Sequence, residues 1–330
     1  MELISKADVV LALGTRLNPF STLPGYGIDY WPNEAKLIQV DINPDRIGLT
    51  KPIAVGIVGD AGKVAGQILA QLLGTAGDEG RAERRNLISE TKSRWLQQLS
   101  LMDHEEDDSG TTWNERVRAR QPDHMSPRMA WRAIQRSLPK EAIISSDIDN
   151  NCAIGNAYPT SENGRKYLAP GQFGPCGYGF PSIAGAKIGN PETPVVGFAG
   201  AFGISMNEMT AIGRDEWPLI TMVVFRNYQW GAEKRNTTLW CNDNFVGTEL
   251  DLKVSYAGIA QACGVKGVQV RTMDELSSAL DAAVKGQMED GETTFIECIL
   301  NQELGEPFRR DAMKTPVEVA GIDEADMRPQ

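Results

Sequence analysis

Short apolar runs recur along this chain, separated by stretches in which apolar residues return every three or four positions. Asp8–Gly14, Lys36–Asp41 and Ile53–Val58 are such runs, the first ending on a glycine. Runs of this kind predict strands, and the periodic segment Ala61–Leu73 predicts an amphipathic helix. The pattern resumes at Ser126, placed to cap a helix over Pro127–Leu138 with proline at its first position. Ala142–Asp147 predicts a strand, and the glycine-rich stretch 171–189 leads into a close-packed helix at Ser182–Lys187. Strands are predicted at Pro194–Ala199 and Leu219–Phe225, with Ser205 as the cap of an intervening helix that starts at Met206. A helix near Val254–Cys263, a strand at Val268–Val270, a helix at Met273–Lys285 and a strand at Thr294–Leu300 complete the alternation.

Apolar strands alternating with helices imply parallel sheets covered on both faces, so the fold class is α/β. Residues 1–75 read as a first α/β domain, 76–125 as a charged connector with one helix in Glu79–Leu101, and 126–330 as a second α/β domain. Three strands are few for a parallel domain, and the chain begins at the first of them. The expectation is that half of this first domain is absent; a complete small domain is the alternative. Half a sheet exposes an unpaired edge and apolar faces, which predicts poor solubility or obligate association.

Composition narrows the function classes. With 330 residues, 41% hydrophobic and 23% charged, the chain has ordinary globular make-up and room for two domains. A net charge of −11 argues against a broad nucleic-acid or anionic-membrane surface. No apolar run reaches the ~18 residues of a membrane span. A small phosphorylated ligand stays compatible, because local donors and a metal outweigh distant charge. Cys152, Cys176, Cys241, Cys263 and Cys298 are scattered without a C-x-x-C pair, which excludes a zinc knuckle and predicts reduced thiols in the cytoplasm. His104 and His124 are the only histidines, which argues against Ser-His-Asp or Cys-His chemistry and against a His-rich metal site in the second half. The acidic run Glu105–Asp108 lacks the spacing of a calcium loop and reads as a solvated face.

The candidate chemistry lies between Pro170 and Glu233. An apolar strand ends in the turn Gly200-Ala201-Phe202-Gly203, a helix follows, and the next strand opens into Arg226-Asn227-Tyr228-Gln229-Trp230-Gly231. A glycine turn before a helix gathers unpaired N–H groups and the positive end of the helix dipole, which attract phosphate. This order resembles the cofactor motif of thiamine-diphosphate enzymes, Gly-Asp-Gly followed after a helix and a strand by Asn. The segments Asp8–Asn18, Gly25–Pro32, Ala169–Gly179, Arg226–Arg235 and Asn301–Asp311 carry the same resemblance. It implies a partial Rossmann-like central domain followed by a thiamine-diphosphate-binding parallel-sheet domain, with the pyrimidine-binding domain absent. One departure stands at the metal site. Gly200 runs directly into Ala201-Phe202-Gly203 where the family reads Gly-Asp-Gly-Ala-Phe-Gly, so an Asp-Gly pair is missing.

The resemblance assigns roles residue by residue. Gly174 and Cys176 fall where the family holds the aminopyrimidine through backbone groups, and the Cys176 side chain falls where one props the bent cofactor; a buried small hydrophobe is the alternative for Cys176. Asp147, Asn150 and Asn151 form a loop placed near the diphosphate or substrate, with turn capping as the alternative. Gly200 and Ala201 lie at the glycine turn. Asn227 is the remaining side-chain ligand for Mg²⁺, Gln229 offers its backbone carbonyl, and Gly231 and Ala232 offer N–H groups to phosphate. Glu208 is placed on the following helix, out of reach of the metal. Lys234, Arg309 and Arg310 are candidates for anionic substrates, with surface charge as the alternative.

Within the family the resemblance points to the acyltransferases that convert sulfoacetaldehyde and phosphate to acetyl phosphate and sulfite, in sulfonate metabolism and taurine degradation. The activating glutamate belongs to the pyrimidine domain, so no catalytic residue is assigned here, and the resemblance implies that the chain alone does not turn over. It implies as partners small anions and either a homo-oligomer or a chain carrying the missing domain. An acetolactate-synthase-like carboligase and a non-catalytic subunit paired with a full-length homologue are alternatives. A nicotinamide-binding protein is a further one, disfavoured because Gly197, Gly200 and Gly203 depart from G-x-G-x-x-G.

Overall fold

The computed structural model describes residues 2–17, 31–74, 77, 80–103, 112–159, 164, 166–171, 173–200, 205–241 and 243–305. Two compact units divide between Gln98 and Leu99.

The first unit opens with a single helical turn, α1 (Glu2–Ser5), and holds three strands, β1 (Val9–Leu13), β2 (Lys36–Asp41) and β3 (Val55–Val58). They form a parallel sheet in that order, with Val9 opposite Lys36 and Ile38 opposite Val55. Asp60 caps α2 (Ala61–Leu72), accepting a bond from the Lys63 N–H. A small core gathers Ala12, Leu17 and Leu37 with Val10, Trp31 and Ile53. The predicted strands and helix are all present.

The stretch 76–125, expected as a connector with one helix, holds two: α3 (Arg81–Asp103) and α4 (Thr112–Arg120). The second was hidden by its polar composition. It is anchored by two residues, Trp113 and Val117, which pack with Leu304 and Phe245 in the second unit.

The second unit is a six-stranded, all-parallel sheet in the order β5-β4-β6-β7-β9-β8. In chain order its strands are β4 (Ile143–Ser146), β5 (Tyr167–Leu168), β6 (Val195–Ala199), β7 (Thr221–Arg226), β8 (Lys266–Val270) and β9 (Thr294–Ile299). Every residue of β4, β6, β7 and β9 is buried, as a sheet covered on both faces requires. Alternate residues feed two cores. Ile144, Val196, Phe198, Val223, Phe225 and Ile296 face α5 (Pro127–Ser137) and α11 (Met273–Lys285), with the Trp131 ring 4.7 Å from Phe198 and 5.3 Å from Phe225. Val195, Ala199, Met222, Val224 and Phe295 face α7 (Gly179–Gly189), α8 (Met206–Ile212) and α10 (Tyr256–Ala262). Burying one such side chain contributes about 1.5–3 kcal/mol.

Two local expectations need correction. Ser126 does cap α5, accepting from the Met129 N–H at 3.2 Å. Ser205 does not cap α8: its backbone is left-handed (φ 43°), and its hydroxyl instead donates to the Gly177 carbonyl at 3.2 Å. The supposed loop after β4 is in fact a short helix, α6 (Asn150–Gly155), capped by Asp149. Its Asn-rich start reads as turn chemistry, but Cys152 and Ile154 give it an apolar face in the core under α5.

Candidate functional site

Strands β4, β6 and β7 are neighbours, and their C-terminal ends open at one edge of the sheet, where ligands bind in open α/β folds. Three segments converge there into one pocket: Ile148–Asn151 after β4, Gly200 after β6, and Asn227 with Gln229–Glu233 after β7. Cys176 lines the same pocket.

The third segment owes its shape to Tyr228, which adopts φ 56° and turns the chain out of the sheet. The turn is pinned by Leu250 N–H to the Tyr228 carbonyl (2.9 Å) and by Trp230 N–H to the Thr248 carbonyl (2.8 Å). Gly231 then begins α9 (Gly231–Trp240), and no side chain caps that start among the described residues. The amides of Gly231, Ala232 and Glu233 are the first of the helix and have no carbonyl one turn back, so they form a donor cluster at the positive end of the dipole. Gly231 is glycine for a packing reason: a Cβ there would lie 2.9 Å from the Asn150 Cβ.

Asn150 and Asn151 are buried at the floor. The Asn150 side chain donates to the Glu303 carbonyl (3.1 Å) and accepts from the Gly305 N–H (2.8 Å), and the Asn151 carbonyl accepts from the Trp131 indole (2.7 Å). The 302–305 tail is held in turn by α4, through Trp113 Nε1 to the Gln302 carbonyl (3.1 Å) and a two-way pairing of Asn114 with the Leu304 backbone. Asn150 and Asn151 thus face the pocket from a rigid support.

Asp147, the other candidate after β4, is a loop clamp. Its carboxylate accepts from the N–H groups of Ile148 (2.7 Å), Gly177 (3.1 Å) and Gly179 (2.7 Å). This sets the path of the glycine-rich loop, in which Gly174 and Gly177 take φ +65° and +88°, values that favour glycine. Gly174 lies beside Ile148 and does not itself line the pocket. The Cys176 thiol donates weakly to the Ile148 carbonyl (3.5 Å). Partial burial, then the charges of Asp147, Glu233 and Asp149, push its pKa up, so it stands as a neutral thiol.

Sequence reasoning missed Asp149. Its Oδ1 caps α6 through the Cys152 N–H (2.6 Å), while its Oδ2 is sealed from solvent and has no hydrogen-bond partner among the described residues. Burial raises its pKa to about 6. The available signal was its type and position, an Asp three residues before Cys152 and three after the end of a strand, where Asp is a preferred helix cap.

Lys234 does not line this pocket. It is fully buried, bonded to Gln229 Oε1 (2.9 Å) and paired with Glu249, between the Trp113 and Phe245 rings. Ala201, Arg309 and Arg310 lie outside the described residues.

The donor set suits a diphosphate with a hard cation. Uncapped amides offer hydrogen bonds to phosphate oxygens, and the Asn227 side chain, the Gln229 backbone carbonyl and Asp149 each have an oxygen that a hard cation accepts as ligand. No described helix is long and apolar enough to cross a membrane.

Comparison with known proteins agrees with this chemistry. Residues 147–298 match the thiamine pyrophosphate enzyme C-terminal TPP binding domain, and residues 1–70 match the central domain of the same enzymes. Sulfoacetaldehyde acetyltransferase of Roseovarius nubinhibens is 76% identical over all of this chain and 55% of its own length. That of Rhodobacter capsulatus is 73% identical over all of this chain and 56% of its own. An acetolactate synthase large subunit from Haemophilus influenzae is 26% identical over 84% of the chain and 45% of its own length. The chain spans about 55% of the length of the first of these relatives. The chain belongs to the thiamine pyrophosphate enzyme family, of which it carries the central domain and the C-terminal cofactor-binding domain.

Proposed function

We propose that this chain is the cofactor-binding portion of a sulfoacetaldehyde acetyltransferase, and that the pocket between β4, β6 and β7 receives the diphosphate of thiamine diphosphate together with Mg²⁺. The observation that carries the reading is the convergence of Asn227, Gln229 and the uncapped start of α9 on one pocket with Asn150, Asn151 and Gly200. The amides of Gly231 and Ala232 hold phosphate oxygens. The Asn227 side chain and the Gln229 carbonyl face the cation. The glycine loop around Gly174 and Cys176 takes the aminopyrimidine, Cys176 as a neutral prop. When bound, the cofactor supplies the carbanion that attacks the aldehyde carbonyl.

The substrate assignment rests on similarity above 70% to proteins named for sulfoacetaldehyde, against 26% to an acetolactate synthase. Phosphate is the acyl acceptor in this reading. Arg309 and Arg310 remain the candidates for the substrate anions, since Lys234 is occupied by Glu249. The activating glutamate lies, by resemblance, in a domain outside these 330 residues, so turnover needs a polypeptide that supplies it, in the same chain or a partner. All five cysteines are unpaired, which supports the cytoplasm as the compartment.

Calorimetric titration of thiamine diphosphate tests the site. With Mg²⁺ present the chain should bind, and Asn227→Ala should weaken binding tenfold or more. Absence of binding at any metal concentration, with the chain folded, would refute the reading.

A further inference from the structure

The pocket as read so far has a charge deficit. Asn227 and a peptide carbonyl are both neutral, and the Gly-Asp-Gly turn that would present a carboxylate is two residues short. A small dication bound only by neutral protein oxygens beside a diphosphate is held weakly by the protein. An anionic oxygen is nevertheless present at this place. Asp149 lines the pocket with Asn227 and Gln229. Its Oδ1 is committed to the first turn of α6, through the Cys152 N–H at 2.6 Å. That bond fixes the direction of the carboxylate and leaves Oδ2 sealed, with no partner among the described residues. A buried carboxylate oxygen without a partner is costly and calls for an explanation such as a missing ion.

Oδ2 is also aimed at a specific point. A Cβ built on Gly200 would lie 2.3 Å from it. Gly200 is the residue after which the family's aspartate would follow. We propose that Asp149 supplies the anionic ligand of the divalent cation in this chain, its second oxygen lying against Gly200 at the end of β6. This deepens the cofactor reading above and rests on it.

Other carboxylates serve the purpose less well. Glu208 is exposed on α8 and does not line the pocket. Glu233 lines it, but is exposed. Asp147 has both oxygens engaged by three backbone N–H groups. Only Asp149, among the described residues, combines a fixed direction, a sealed oxygen and a place in the pocket.

The test measures Mn²⁺ bound by the full chain, from the loss of the free-ion electron paramagnetic resonance signal, with inorganic diphosphate present. Asp149→Asn keeps a capping side chain and removes the charge; Asp149→Ser keeps a capping oxygen and removes the second one. Both should weaken Mn²⁺ at least tenfold while melting as cooperatively as the parent. Equal or tighter binding in either folded variant overturns the proposal, as does a parent that binds no Mn²⁺. The same samples titrated with thiamine diphosphate separate the two readings. If all three proteins bind it with the same metal dependence, the cofactor site stands and the role of Asp149 falls. If the parent takes Mn²⁺ and inorganic diphosphate but not thiamine diphosphate, Asp149 stands as a ligand and the cofactor reading falls.

Discussion

Asp149 shows how a single side chain acquires two tasks from two oxygens. One oxygen stabilises the start of α6; the other is buried with no donor among the described residues. In the metal-free chain that second oxygen is a liability, because a desolvated acceptor with no partner costs about 1–3 kcal/mol. Asp149→Asn should therefore raise the melting temperature of the metal-free protein, as the cap survives and the buried charge goes. Calorimetric melts of parent and variant in chelator check this, and a lower melting point in the variant would show that the carboxylate is already satisfied. The glycines around the pocket illustrate the opposite constraint. Gly231 and Gly200 are defined by what they leave room for, Asn150 and Asp149 respectively, and neither neighbour is close in sequence.

Elements are tied together by a buried ion pair between β7 and β9. Arg226 Nη1 donates to Glu297 Oε1 at 2.7 Å, and Arg226 Nη2 donates to the Leu252 carbonyl at 2.7 Å. The second oxygen of Glu297 accepts from Ser255 Oγ, the Ala257 N–H and Gln269 Nε2. Burial works against the charged carboxylate, but the bonds from Ala257, Tyr256, Gln269 and Ser255 outweigh it and leave its pKa below 4.5. Such a depressed acid contributes stability that is complete above the unfolded value and is lost as pH falls through the folded one. Glu297→Gln should cost about 3–5 kcal/mol at neutral pH, because it leaves a buried guanidinium without its counter-charge. It should also flatten the loss of stability below pH 4.5 relative to the parent. Urea titrations at neutral and acid pH measure both effects. Because Arg226 immediately precedes Asn227, the pair also holds the strand end from which the pocket-lining loop departs.

At the scale of the whole molecule, the two units differ in how well they are covered. The main strands of the second sheet are buried on both faces, whereas in the first unit Val9, Leu11 and Leu13, on one face of β1, are 49%, 44% and 39% exposed. β1 is also an edge strand of a three-stranded sheet. An apolar face beside an open edge favours association. Sedimentation velocity should find the chain self-associated at micromolar concentration, and Leu11→Glu should shift it toward monomer. A parent that sediments as a monomer throughout would count against that expectation.

Much of this architecture was legible in the residues. The run Val195–Ala199 is apolar throughout because both its faces are covered, and that property is local enough to read without coordinates. The Asn-containing loop after β7 was likewise legible as a strand end opening before a helix, since helix starts and strand ends are encoded within a few residues. The misses share one cause. Helix α4 is secured by Trp113 and Val117 against Leu304, far along the chain, and α6 by Cys152 and Ile154 under α5. Ser205 makes its bond to the remote Gly177 instead of to its own helix, and Lys234 meets a carboxylate fifteen residues away. Such pairings are selected by parallel strands that bring distant turns to one sheet edge, so they become visible only when the sheet is assembled. The meeting of Asp149 with Gly200 is of this kind: neighbouring strands β4 and β6 create it, and nothing in either local stretch announces it.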